Sequence, residues 1–209
     1  MIGTVAGVDQ LSSRERILEI ALRAFAEKGF GGTRLADIAR GAGLSHPTLL
    51  YHFNSKEELY AAVIEAAASD WAQETETAAS SGLSGFAQVE AIVDAAFHFF
   101  ATHRDFIRVV RREAIEGGGR LEYTMAGFAR PFLERAVRFL EGEVRDGRLR
   151  PHDPLELMQI CYGAISTFFA DARFRELLVG DDSLSAAGIR RHRDAITELM
   201  RQALDPEAG

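Results

Sequence analysis

Cysteine is nearly absent: Cys161 stands alone in 209 residues. A single thiol closes no intrachain disulfide and builds no Cys-based zinc site. It reads as a small core residue on an apolar helix, in a reducing, cytoplasmic setting. Prolines number only five, and strand-like alternation is close to missing, which leaves little room for a sheet. No apolar run approaches the roughly 20 residues that a membrane helix needs. The longest runs are cut by charge, as where Asp94 follows Ala91, Ile92 and Val93. Met1 to Gln10 carry Asp9 and no basic cluster, so a secretory leader is not expected there. A Gly-rich phosphate loop, a nucleophile elbow and an HExxH motif are all lacking, as are the paired Glu-x-x-His segments of a carboxylate-bridged metal bundle. An enzyme is therefore not expected, and neither is a cofactor. Asp94 and His98, spaced i, i+4, fall short of the three or four ligands of a metal site, so no metal is expected.

Positive charge is also scarce, with 24 Lys and Arg against 31 Asp and Glu, a net charge of -7. Its distribution matters more than its sum. Residues 1–57 hold seven cations and six anions, which leaves 17 against 25 for the remainder. A near-neutral N-terminal part can hold nucleic acid if its few cations face phosphates. An acidic remainder would repel DNA and confine contact to that part.

What the chain has in plenty is helical periodicity, and 47% hydrophobic residues are enough to bury a core. Ser12 and Glu15 form a capping box for a first helix, with Ile17, Leu18, Ala21, Ala24 and Phe25 along one stripe and Gly29 as its left-handed stop. Thr33 is expected to cap a second, short helix with Leu35, Ile38, Ala39 and Ala42 inward. Gly43 permits a tight turn. Ser45 caps a third helix that carries Pro47 in its first turn and ends near Phe53. Ser55 and Glu58 form another capping box, opening a long helix to about Ser80. Later helices are expected over 86–103, 104–116, 121–144 (with a kink at Pro131), 155–179 and from Ile189 to Ala203. The expectation is all-α: a three-helix N-terminal helix-turn-helix domain at 1–54 and a C-terminal helical bundle at 55–209, about nine helices in all.

Residues 33–59 read TRLADIARGAGLSHPTLLYHFNSKEEL. Two short helices joined by a glycine turn form a helix-turn-helix, whose second helix can enter the major groove. So short a helix must be pinned by packing, and Leu49, Leu50 and Phe53 offer the apolar side. His46, Pro47, Thr48, Tyr51 and His52 would then face outward, toward base edges, thymine methyls and phosphates. Lys56 adds a cation at the start of the fourth helix.

This stretch and the helix before it resemble the DNA-binding domain of the TetR family. The residues that carry the resemblance are Ile17-Leu18, Ala21, Phe25 through Phe30, Thr33, Ile38-Ala39 and Ala42 through Ser45, followed by Pro47-Thr48-Leu49, Tyr51-His52-Phe53 and Ser55 through Leu59. One departure stands out: Leu50 occupies a position where the family usually has a phosphate-touching Tyr. The resemblance implies a transcriptional regulator, usually a repressor, that binds double-stranded DNA. Thr33, Tyr51 and Lys56 would position the DNA backbone, and Arg34, His46, Pro47, Thr48 and His52 would lie nearest the bases. Ser45 would serve as cap and phosphate contact. It also implies a homodimer reading a palindrome and release by a small-molecule effector.

The rest of the chain is rich in Phe. An apolar pocket for a small hydrophobic or aromatic effector is expected among Phe97, Phe100, Met125, Phe128 and Phe168, although rings at helical spacing also suit a plain core. Tyr162, Ile165, Phe169, Ile196, Leu199 and Met200 on the last two helices are candidates for the dimer seam, or for the chain's own interior.

Overall fold

A computed structural model describes residues 12–208 apart from Gly118 and Asp181, with the backbone alone over 120–129. Its elements are α1 (Ser13–Gly32), α2 (Leu35–Gly41), α3 (His46–His52), α4 (Lys56–Ala79), α5 (Gly85–Thr102), α6 (Arg104–Ile115), α7 (Gly119–Arg145), α8 (Pro154–Ala170), α9 (Ala172–Val179) and α10 (Ala186–Leu204). Among the described residues there is no strand and no helix long and apolar enough to cross a membrane. The described residues form ten helices where about nine are expected, because the 155–179 stretch breaks at Asp171, whose backbone leaves the helical region (φ -105°, ψ 20°). Apolar spacing continues across that break, so periodicity alone does not reveal it. α7 runs on through Pro131.

The chain divides into two units. The head is made of the chain up to Ala67 together with Arg108–Met125, and the body of Ala68–Ile107 together with the chain from Ala126 on. In the head, the expected stripe of α1 is inward at Ile17, Ala21 and Phe25. α1 packs against α2, and Ile38 and Ala39 of α2, Leu49 and Phe53 at α3, and Leu59, Val63 and Ile64 of α4 are buried in the same unit. Tyr60 closes this core edge-on to both Phe25 and Phe30, at 5.0 and 5.3 Å between ring centroids. Such ring pairs add to the apolar burial that holds helices too short to persist alone.

α5 is the spine of the body. Its Phe97, Phe99 and Phe100 are buried. They meet Trp71 of α4 (5.1 Å from Phe99), Phe169 of α8 (5.9 Å from Phe97) and His192 of α10 (5.9 Å from Phe97). Polar anchors fix the connections. The Glu143 carboxylate accepts from the Gly85 N–H at 2.6 Å and from the Arg148 guanidinium at 2.7 and 2.8 Å, which holds its pKa below the usual carboxylate range. Asp153 caps α8 by accepting from the N–H groups of Leu155 and Glu156. Asp94 faces Arg193 at 3.6 Å.

The body leaves several large apolar side chains in water: Leu155, Ile160 and Tyr162 on α8, Phe174, Leu177, Leu178 and Val179 on α9, and Leu199 on α10. Ile165, Phe169 and Met200, three of the expected seam residues, are buried inside their own chain. A side chain already enclosed has no surface left for a partner, so these three belong to the core. Ile196 is half-buried. Cys161 is half-buried with its Sγ 3.7 Å from the Met200 sulfur, and burial pushes its thiol up to about 11.

Candidate nucleic-acid interface

The helix-turn-helix is built by local chemistry. α1 begins at a complete capping box: Ser12 Oγ accepts from the Glu15 N–H while the Glu15 carboxylate accepts from the Ser12 N–H. It is interrupted at Gly29, whose φ of 71° only glycine adopts cheaply. A Cβ at Gly29 would also lie 2.9 Å from the Arg112 guanidinium, which would have to shift. After α2, Gly43 takes a φ of 68°, and the Leu44 N–H reaches back to the Ala39 carbonyl at 2.9 Å. That turn delivers Ser45, whose hydroxyl accepts from the Thr48 N–H at 3.2 Å and meets the Thr48 hydroxyl at 2.7 Å.

α3 then shows two faces. Leu49 and the capping residue Phe53, one turn apart, are 0% and 1% exposed and pin the helix to the head. His46, Pro47, Leu50 and Tyr51 are exposed, Tyr51 at 87%, while Thr48 and His52 flank them half-buried. The Tyr51 and His52 rings meet edge-on at 5.6 Å. Arg34, at the N-cap of α2, is exposed and makes no side-chain cap bond. The Lys56 ammonium stands 4.4 Å above the Phe30 ring, a cation held in place by an aromatic face.

Three sequence expectations change here. Thr33 is not the cap of α2. Its side chain is buried, and its hydroxyl donates to the carbonyls of Gly29 (2.7 Å) and Ala24 (3.0 Å). These two bonds spend the hydroxyl inside the head rather than on phosphate. Leu50 is not part of the packing side. It shares a face with His46, four residues earlier, and not with Leu49 and Phe53, a signal that the i, i+4 spacing already carries. At α4, Ser55 Oγ accepts from the Glu58 N–H as expected. The Glu58 carboxylate, however, takes the backbone and side-chain N–H groups of Asn54 instead of closing the box on Ser55.

Of the expected effector residues, Phe97, Phe100 and Phe168 are buried and packed ring against ring. The side chains of Met125 and Phe128 lie outside the described residues. Trp71, Phe132 and Tyr162, half-buried or exposed, extend the cluster around Phe100.

A short helix offered outward after a glycine turn, pinned to a helical head, defines a helix-turn-helix DNA-binding regulator. Residues 17–63 match the bacterial regulatory proteins of the tetR family, and residues 86–200 match the tetracyclin repressor-like C-terminal domain. The HTH-type transcriptional regulator RutR of Escherichia coli is 31% identical over 163 residues, covering 77% of this chain and 74% of its own. The HTH-type transcriptional repressor KstR2 of Rhodococcus jostii is 28% identical over 146 residues, covering 69% and 71%. Among solved structures, AibR in complex with isovaleryl coenzyme A and operator DNA superposes with a TM-score of 0.73 at 15% identity, over 90% of this chain and 97% of that one. The chain belongs to the TetR family of DNA-binding transcriptional regulators.

Proposed function

We propose that this chain acts in the cytoplasm as a homodimeric repressor that binds a palindromic operator and leaves it when a small hydrophobic or aromatic effector binds. It has no enzymatic role in this reading. The observation that carries the reading is the division of α3 into a buried side, Leu49 and Phe53, and an exposed side, His46, Pro47, Leu50 and Tyr51. In the major groove, His46, Thr48 and His52 supply polar contacts to base edges, and Pro47 and Leu50 supply apolar ones to thymine methyls. Tyr51, Arg34 and Lys56 hold phosphates, and Ser45 keeps the helix start in shape. Thr33 holds no phosphate in this reading, because its hydroxyl is consumed internally. Residues 1–54 thus read DNA, and 55–209 dimerise and sense the effector.

The dimer surface is best placed on α8 and α10. These helices touch through Cys161 and Met200 and through the stacked rings of Phe168 and His192, 4.1 Å apart. Between them they expose Leu155, Ile160, Tyr162 and Leu199. The aromatic cluster around Phe100 is the apolar environment that an effector would enter. A related fold that carries both isovaleryl coenzyme A and operator DNA supports pairing the two activities.

The test is selection of duplexes from fragmented genomic DNA by the full-length protein, followed by salt titration and a thermal-shift screen of small apolar compounds. An enriched inverted repeat is expected, bound with affinity that falls steeply as salt rises and released by the compounds that raise the melting temperature. Recovery of fragments without a shared repeat, or binding indifferent to salt, rejects the reading.

A further inference from the structure

Resting on the DNA-binding reading above, we infer that Arg14 is a further phosphate-binding residue of the head. Arg14 is exposed in the first turn of α1. Its guanidinium carbon lies over the Phe53 ring, 5.2 Å from the centroid. Phe53 is the buried residue that closes α3, so the cation is steadied against the end of the recognition helix by a core ring.

The placement costs the helix something. A first turn presents the positive end of the helix dipole, where a cation is disfavoured. A carboxylate would ordinarily offset this, yet among the described residues none pairs with Arg14. Glu15 feels its charge but turns its carboxylate to the Ser12 N–H at 2.8 Å. The Glu58 carboxylate, near Phe53 in sequence, is taken by Asn54. Elsewhere in the head, Arg23 pairs with Glu19 and Arg40 with Asp37.

A guanidinium over a ring spends its face and keeps its N–H donors, which point outward in its plane and match phosphate oxygens. Lys56, three residues beyond Phe53, is held over Phe30 in the same manner. Two cations from the starts of two different helices are therefore steadied by aromatic rings of one core. Among the described residues no carboxylate is paired with either cation, and DNA phosphate is the anion that would complete them.

The experiment measures binding of the full-length protein to a fluorescein-labelled mixed-sequence duplex of about 30 base pairs, by anisotropy, between about 50 and 200 mM KCl. Arg14→Met keeps an apolar stem on the Phe53 ring and removes only the charge; Arg14→Gln is a second neutral variant. Both are expected to lower the slope of log affinity against log salt by about one per bound head, as Lys56→Ala should. Arg14→Lys should retain the parent slope. A parent-like slope in both neutral variants, with only the melting temperature lowered, makes Arg14 a staple for α3 and overturns the inference. If the parent itself shows no salt-dependent duplex binding, the DNA reading falls and the inference with it. A parent slope of normal size with no change at Arg14 rejects the inference alone.

Discussion

Ser45 shows how much of a recognition helix can rest on one hydroxyl. α3 has seven residues, fewer than a helix needs to persist unaided, and the Ser45 hydroxyl accepts from the free Thr48 N–H of its first turn. Ser45→Ala should cost about 1 kcal/mol, read as a lower denaturation midpoint, and should weaken DNA binding because fraying starts at His46 and Pro47. A midpoint unchanged from the parent would show that packing by Leu49 and Phe53 suffices alone. At the other end of the chain, His192 lies against Phe168, and burial pushes its imidazole below the ordinary value. The nearby Arg175 adds to that push, and a contact with the Ala164 carbonyl opposes it. The fold therefore prefers the neutral ring. Its contribution is complete above the unfolded value of about 6.5 and is lost as pH falls through the lower folded value. Unfolding midpoints at about pH 7.5 and about pH 5.5 should differ more for the parent than for His192→Gln. Glu143, also lowered, loses its contribution only below the ordinary carboxylate value of 4.5, so the two steps separate along the pH axis.

Whole helices set the next level, and two glycines probe their packing with opposite sign. A Cβ at Gly188, in the first turn of α10, would sit 2.3 Å from the Ser183 carbonyl oxygen and 2.9 Å from that of Asp182. Backbone cannot swing aside, so Gly188→Ala should destabilise by about 1–3 kcal/mol. Gly142, inside α7, meets nothing within 4 Å, and Gly142→Ala should stabilise by up to about 1 kcal/mol through helix propensity. Chemical denaturation of both variants checks the pair. The same scale explains what the amino-acid order discloses. Caps at Ser12 and Ser45 and turns at Gly29 and Gly43 are legible because each depends on a residue and its immediate neighbours. The fate of the Thr33 hydroxyl is not, since it depends on carbonyls four and nine residues earlier that only the fold brings to it. Nor is the division of α8, where Ile165 and Phe169 go inward while Ile160 and Tyr162 stay out. All are apolar, and only the neighbouring helices α5 and α10 decide which are enclosed.

At the scale of the molecule, the proposed function depends on two copies meeting. Removing α10 would be a poor test, because Met200 and Leu204 are buried within the chain and their loss would unravel the body. Leu199 is 68% exposed, so Leu199→Glu leaves the isolated fold intact while placing a charge on the proposed seam. Light scattering should report a shift from dimer to monomer, with operator binding weakened by at least about tenfold, since a charge buried without a partner costs several kcal/mol. A variant that remains dimeric moves the seam away from α10. The proposed contact surface of the head can be drawn from the residue order between Arg34 and Lys56, whereas the proposed seam takes shape only once Ile165, Phe169 and Met200 are subtracted as interior.

The four apolar side chains that α9 holds in water, from Phe174 to Val179, also bear on how the protein must be handled. Left uncovered, such a strip invites chains to stick to one another wherever they are concentrated, in a cell extract or on a column. Detergent at low concentration, or replacement of Leu177 by a polar residue, should therefore improve recovery of the purified protein without touching the DNA-reading head.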